Sequence, residues 1–158
     1  MAKSDKNELV KQVLIGARDY GISTALFRHA VGEILGINVT DMECLALIFS
    51  KGSATPSELA RYTGLTTGAT TAMLDRLEKA HLIERRPNPQ DRRSMFIVLT
   101  NETIDKMGAM FASGREANDK LTSSYSESEL QLIADYFRKL VRVGEEAREK
   151  LRHRNKVY

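Results

Sequence analysis

The string Thr55-Pro56-Ser57-Glu58 most constrains what this chain can fold into, because every residue in it is placed to start a helix. The threonine hydroxyl can accept from the third helical amide, Pro56 brings a preset φ to the first helical position, and Glu58 can reach back to the Thr55 amide. Gly64 follows closely enough that the helix is barely two turns long before a left-handed stop. Thr66 is then placed to cap another helix. Two helices joined by Gly64-Leu65-Thr66 must cross steeply, which is the helix-turn-helix arrangement.

The second of these helices carries a buried stripe at Ala69, Met73, Leu77 and Ala80. At 100° per residue, Thr67, Gly68, Thr71 and Asp75 point the opposite way, with Arg76 and Lys79 on a flank. That outer face is chosen neither for helix propensity nor for solubility. Its short side chains let the helix come close to whatever it touches. Upstream, Thr40-Asp41-Met42-Glu43 reads as a capping box, Met42, Leu45, Ala46 and Phe49 form an apolar stripe, and Gly52 stops the helix. Downstream, Leu82 to Arg86 and Ser94 to Leu99 read as two strands, joined through Pro87-Asn88-Pro89-Gln90-Asp91-Arg92-Arg93 into a hairpin with a stiff tip.

Long helices flank this centre. From Asn7 to Leu35 the residues Val10, Val13, Leu14, Ala17, Phe27, Ala30, Val31 and Ile34 recur at three- and four-residue spacing, with Gly21 and Gly32 as weak points. After Thr100, Ile104, Met107, Phe111, Gly114, Asn118 and Leu121 step likewise. Ser126-Glu127-Ser128-Glu129 is a further capping box, followed by Leu130, Ile133, Phe137 and Leu140. These seams must be covered, either by intrachain packing or by a second copy of the chain.

Composition narrows the class. The 158 residues suit one domain, and 42% hydrophobic with 28% charged residues is the balance of a globular fold. No apolar run approaches the ~20 residues of a membrane span. The first residues lack the apolar core of a secretory signal and the single cysteine cannot form an internal disulfide, which points to the cytoplasm. The net charge of +3 is unevenly spread: residues 61–100 hold seven basic against four acidic groups, and 138–158 hold eight against three.

The expected fold is mainly α with a small β-hairpin wing: a winged helix-turn-helix lobe over residues 40–100, with helical segments 7–35 and 101–152. In such a lobe the second helix enters a major groove of double-stranded DNA, where threonine can hydrogen-bond a base edge and press its methyl on thymine. Thr66, Thr67, Thr70 and Thr71 are the candidates for that face. Arg76, Arg85 and Arg86 are expected to meet phosphates, and the wing-tip Arg92 and Arg93 to enter the narrower minor groove.

Residues 55–100 resemble the MarR/SlyA family of bacterial transcription regulators. The resemblance rests on Ser57-Glu58-Leu59-Ala60, Gly64-Leu65, the block Leu74-Asp75-Arg76-Leu77-Glu78-Lys79-Ala80-His81-Leu82-Ile83-Glu84-Arg85, and Asp91-Arg92-Arg93 followed by Val98-Leu99-Thr100. Flanking helices extend it over nearly the whole chain, read as one MarR-like domain over 1–158. The resemblance implies an obligate homodimer with interleaved first and last helices, in which Val10, Val13, Leu14, Leu130, Ile133, Phe137 and Leu140 would lie at the dimer seam. It also implies a palindromic operator, a repressor role, and Asp91 orienting Arg93 into the minor groove. Many family members respond to a small-molecule effector between the dimer helices and the DNA-binding lobe; residues near Arg28, His29, Met42 and Phe49 are candidates here, and spacing alone does not place them.

Other chemistries find little support. His29, His81 and His153 have no ligand spacing to one another or to Cys44, so no metal or other cofactor is expected. Cys44 has no adjacent His, Lys or Arg to depress its thiol pKa and reads as a buried small hydrophobe. No nucleophile elbow, phosphate loop or paired-carboxylate motif marks an enzyme. The competing reading is a winged-helix protein-interaction module that does not bind DNA sequence-specifically.

Overall fold

Capping chemistry and apolar spacing divide the chain into six helices and one hairpin among the described residues. The computed structural model describes residues 3–89 and 94–154. The elements are α1 (Lys3–Leu35), α2 (Val39–Lys51), α3 (Pro56–Thr63), α4 (Thr67–Lys79), β1 (Ile83–Pro87), β2 (Met95–Leu99), α5 (Asn101–Thr122) and α6 (Glu127–Arg154). The mainly helical class with a two-stranded wing is the expected one. They form two compact units, residues 1–110 and 111–158, the division falling within α5.

In the first unit α2 packs against α1, α3 and β2, and α3 and α4 lean on each other and on the hairpin. Met42, Leu45, Ile48, Leu59, Met73, Leu77, Ile83, Ile97 and Met107 are fully buried at this centre. The strands run antiparallel with Ile83 opposite Leu99 and Arg85 opposite Ile97. Ala54 adds a bridge to Ile97, exchanging N–H to O contacts of 3.0 and 2.8 Å, so the loop before α3 is tied to the wing.

Helix α1 runs unbroken through Gly21 and Gly32. At Gly32 a Cβ would sit 3.2 Å from the Ile37 carbonyl oxygen, so this glycine permits the close approach of the α1–α2 turn. The start of α2 differs from the capping box expected at Thr40: Asn38 is the cap, its side-chain oxygen accepting from the Asp41 amide at 2.9 Å, and Thr40 lies inside the helix. Asparagine caps as well as threonine, and Asn38 already has the extended backbone a cap needs. Helix α1 begins at Lys3, earlier than the expected Asn7. The starts of α3 and α6 are as expected: Thr55 and Glu58 exchange a full capping box, and Ser126 with Glu129 does the same for α6 in the second unit.

Candidate nucleic-acid interface

The helix ends at the α3–α4 corner are set by local chemistry. Glu58 accepts from the Thr55 amide at 2.8 Å while the Thr55 hydroxyl accepts from the Glu58 amide at 3.3 Å, and Lys51 caps the same carboxylate at 2.7 Å. The Lys51 hydrogen bond, aided by the Thr55 amide, holds the Glu58 carboxyl down to about 2. Gly64 closes α3 at φ 81°, a left-handed conformation that a side chain would strain, and its N–H donates to the Ala60 carbonyl. Thr66 then caps α4, accepting from the Ala69 amide at 3.3 Å.

On α4 the inward face is Thr70, Met73, Leu74 and Leu77. This corrects two expectations. Ala69 and Ala80 lie exposed, and Thr70, expected toward DNA, is 2% exposed in the core. Met73 and Leu77 are buried as expected, but the inward face is shifted toward Thr70 and Leu74; the Thr70 hydroxyl donates to the Thr66 carbonyl at 2.9 Å, which satisfies the polar group and lets the methyl face the core. Thr66, Thr67, Gly68, Thr71 and Asp75 are exposed, and the Thr71 hydroxyl donates to the Thr67 carbonyl at 3.0 Å. The open face of α4 therefore presents small side chains around two threonine methyls.

The arginines are arranged differently from their expected phosphate roles. Arg76 forks onto Asp41 of α2, Nε to Oδ2 at 2.9 Å and Nη2 to Oδ1 at 2.6 Å, and the Asp41 side chain is 2% exposed. Arg76 is thus the counter-ion of a buried carboxylate that sequence reading took for part of a helix cap. The available signal was an aspartate beside Met42 on the apolar face of α2. Arg85 lies on the same strand face as buried Ile83 and is itself engaged, Nη1 donating to Glu78 at 2.8 Å and Nη2 to Asp75 at 2.5 Å. Arg86 points the other way and pairs with Glu84 through Nη2 at 2.9 Å on an exposed surface. At the base of the wing the Asn88 amide donates to the Ser94 hydroxyl at 2.7 Å and the Asn88 N–H to the Ser94 carbonyl at 3.2 Å. Asp91, Arg92 and Arg93 lie outside the described residues.

Helix α4 ends in a Schellman turn: the His81 N–H donates to the Glu78 carbonyl and the Leu82 N–H to that of Leu77. His81 occupies the left-handed position at φ 57°, where glycine is the usual residue. Cys44 is fully buried, and its thiol is pushed up to about 12 by burial first and by the Asp41 charge second. At neutral pH it is a small hydrophobe.

Of the residues named for an effector, Arg28 donates to Glu43 at 2.9 Å, His29 faces Glu33 on α1 at 3.6 Å, Met42 is fully buried and Phe49 is half-buried. Arg28 and Met42 are thereby committed to structural neighbours. Along α1, Val10, Val13 and Leu14 are exposed, as is Phe137 on α6, where Leu130, Ile133 and Leu140 are half-buried. Among the described residues no helix is long and apolar enough to cross a membrane.

The profile of the MarR family matches residues 37–95, the span from the cap of α2 to the start of β2. The chain is 34% identical to an uncharacterized HTH-type transcriptional regulator of Bacillus subtilis, YcgE, over 95% of its own length and 97% of the relative's. It is 31% identical to the multiple antibiotic resistance protein MarR of Salmonella typhimurium over 68% and 75% of the respective lengths. Among solved structures it is similar to the transcriptional regulator Tm0710 of Thermotoga maritima, with 24% identity, a TM-score of 0.58, and 88% and 96% of the two chains covered. YcgE is named as a transcriptional regulator, a non-enzymatic class. The agreement of a wing and a capped helix-turn-helix with the family match and with these relatives places the chain in the MarR family of HTH-type, DNA-binding transcriptional regulators.

Proposed function

We propose that the chain is a homodimeric repressor that binds a palindromic operator, with α4 of each copy in adjoining major grooves, and that a small-molecule effector modulates it. The observation carrying this reading is the exposed face of α4: Thr67, Gly68 and Thr71 let the helix backbone approach base edges, and the hydroxyls and methyls of the two threonines match edge polar groups and thymine methyls. Thr66 borders that face, and of Arg76, Arg85 and Arg86 the most exposed is Arg86, on the outer side of β1. The family resemblance supports assigning minor-groove contacts to Asp91, Arg92 and Arg93, which lie outside the described residues.

Dimerisation through residues 7–35 and 101–152 is supported by the apolar surface these helices leave open. Leu14 is 59% exposed and Leu132 71%, apolar exposure of the kind that marks an interaction surface. Val10, Val13, Leu14, Leu130, Ile133, Phe137 and Leu140 supply the seam.

Selection of bound duplexes from a random pool tests the reading. The expected product is an inverted repeat whose half-sites lie roughly 10–10.5 base pairs apart, with the protein sedimenting as a dimer at micromolar concentration. A pool with no enrichment at low ionic strength, or a monomer under those conditions, refutes it.

A further inference from the structure

Asp75 and Glu78 stand one turn apart on α4, the helix proposed to enter DNA, and two carboxylates beside a phosphate backbone would repel it. Each is matched from outside the helix by a single group. Strand alternation puts Arg85 on the inner face of β1, with Glu84 and Arg86 outward, and its two terminal nitrogens divide between the two carboxylates at 2.8 and 2.5 Å. The Arg85 side chain is 30% exposed, the least of these three, whereas Asp75 is 59% and Glu78 40% exposed. The cation thus sits deeper than the acids it serves. A side chain reaching for a phosphate would be extended outward with its fork open.

Resting on the DNA-binding reading, we propose that Arg85 is a positioning residue for sequence recognition: it locks the wing strand to α4 and neutralises the acidic side of that helix. The planar guanidinium holds both carboxylates at once, which fixes the angle between β1 and α4. That angle decides whether Thr71 and the wing reach their own grooves together. The pairing also removes repulsion along the edge of α4 that continues from Thr67 through Thr71 to Asp75.

The test compares Arg85→Lys, Arg85→Gln and the double variant Asp75→Asn/Glu78→Gln with the wild-type protein. Fluorescence anisotropy reads binding to a labelled duplex from the enriched pool and to a shuffled duplex of equal length, each over a salt series. Lysine keeps the charge a phosphate would need and loses the fork. The expected result is that Arg85→Lys and Arg85→Gln both reduce the preference for the enriched duplex about tenfold, the scale of one good base contact, with the salt slope on the shuffled duplex unchanged. The Asp75→Asn/Glu78→Gln variant leaves Arg85 in place and is expected to lose the same preference. A wild-type-like Arg85→Lys, with Arg85→Gln weakening both duplexes equally and a salt slope shallower by about one per chain, assigns Arg85 to a phosphate and overturns the proposal. If the double variant tightens on both duplexes and keeps its preference, Arg85 was merely released and the proposal also falls. Wild-type protein that binds neither duplex defeats the DNA-binding reading beneath it, an outcome separate from these.

Discussion

Replacing Arg76 with alanine separates two roles that one guanidinium could play. The structure gives it a partner, Asp41, whose side chain is 2% exposed and whose two oxygens both accept from the fork. Stripping the counter-ion from a fully buried pair costs about 3–5 kcal/mol, because the remaining charge has lost its solvation and its partner. Two features lower that figure here. The Arg76 side chain is 54% exposed, so water can replace part of what it supplied, and Asp41 lies in the first turn of α2, where the helix N-terminus favours a negative charge by roughly 0.3–1 kcal/mol. The expected loss for Arg76→Ala is therefore about 2–3 kcal/mol, or a melting temperature lower by roughly 5–10 °C for a chain of this size. Asp41→Asn should cost less, since the half-exposed guanidinium can turn to solvent. Because the two side chains share one interaction, the double variant should cost at least about 0.5 kcal/mol less than the sum of the single variants. Urea unfolding without DNA, at one fixed protein concentration, measures all three. A stability within about 0.5 kcal/mol of wild type, with duplex binding weakened alike on every sequence, would show that Arg76 serves a phosphate and that the ion pair contributes nothing.

Thr71→Ala should change which bases are preferred in a pool selection while costing about 1–3 kcal/mol on the preferred duplex; equal loss on all sequences would demote it to a backbone contact. His81→Gly should stabilise the chain by about 0.5–1 kcal/mol in urea unfolding, since glycine adopts the left-handed turn without the side-chain penalty and gives back part of that gain in unfolded-state entropy. No gain would mean that the His81 side chain stabilises the turn by something its backbone angle conceals. Glu58 is held at about 2 against an ordinary value of 4.5, so its contribution is complete above pH 4.5 and is lost as the pH falls from there toward 2. The melting-temperature difference between wild type and Glu58→Gln should shrink over that interval, and a difference constant with pH would refute the assignment.

The element boundaries were legible wherever local chemistry sets them. Thr55 with Glu58, Gly64, Thr66 and Ser126 with Glu129 do their work within four residues of chain, and each was readable without knowing the tertiary fold. The strands were legible from the β-branched and aromatic run before Thr100. What failed was the rotation of α4 about its axis. Ala69 and Thr70 are neighbours, and residue identity favours alanine for the core; the Thr66 carbonyl, one turn back, makes threonine equally acceptable there. A hydroxyl satisfied within its own helix is invisible to hydrophobic periodicity. The cap of α2 failed for a related reason, since Asn38 and Thr40 both have capping side chains and only the backbone geometry at Asn38 decides between them.

The arginines show why charge counted along the sequence misjudges an interface. Residues 61–100 carry a positive excess that suggests a phosphate-binding surface. Yet three of the arginines in that span face carboxylates: Arg76 a buried one from α2, Arg85 two from its neighbouring helix, and Arg86 one on its own strand. One of those carboxylates, Asp41, lies on α2, outside that span and far in sequence from the arginine it meets, so the local charge count omits it. The excess is a property of composition, while the field at the surface is set by which cations remain uncompensated once the fold has closed. For this lobe that shifts the weight of recognition from many phosphate contacts to the fit of a narrow, small-residue helix. Such a fit depends on angle, and the ion pairs at Asp41 and at Arg85 add to the apolar packing of α4, tying it to α2 and to β1. On the proposed DNA-binding reading, the charged groups therefore act on recognition mainly by fixing where the uncharged ones point.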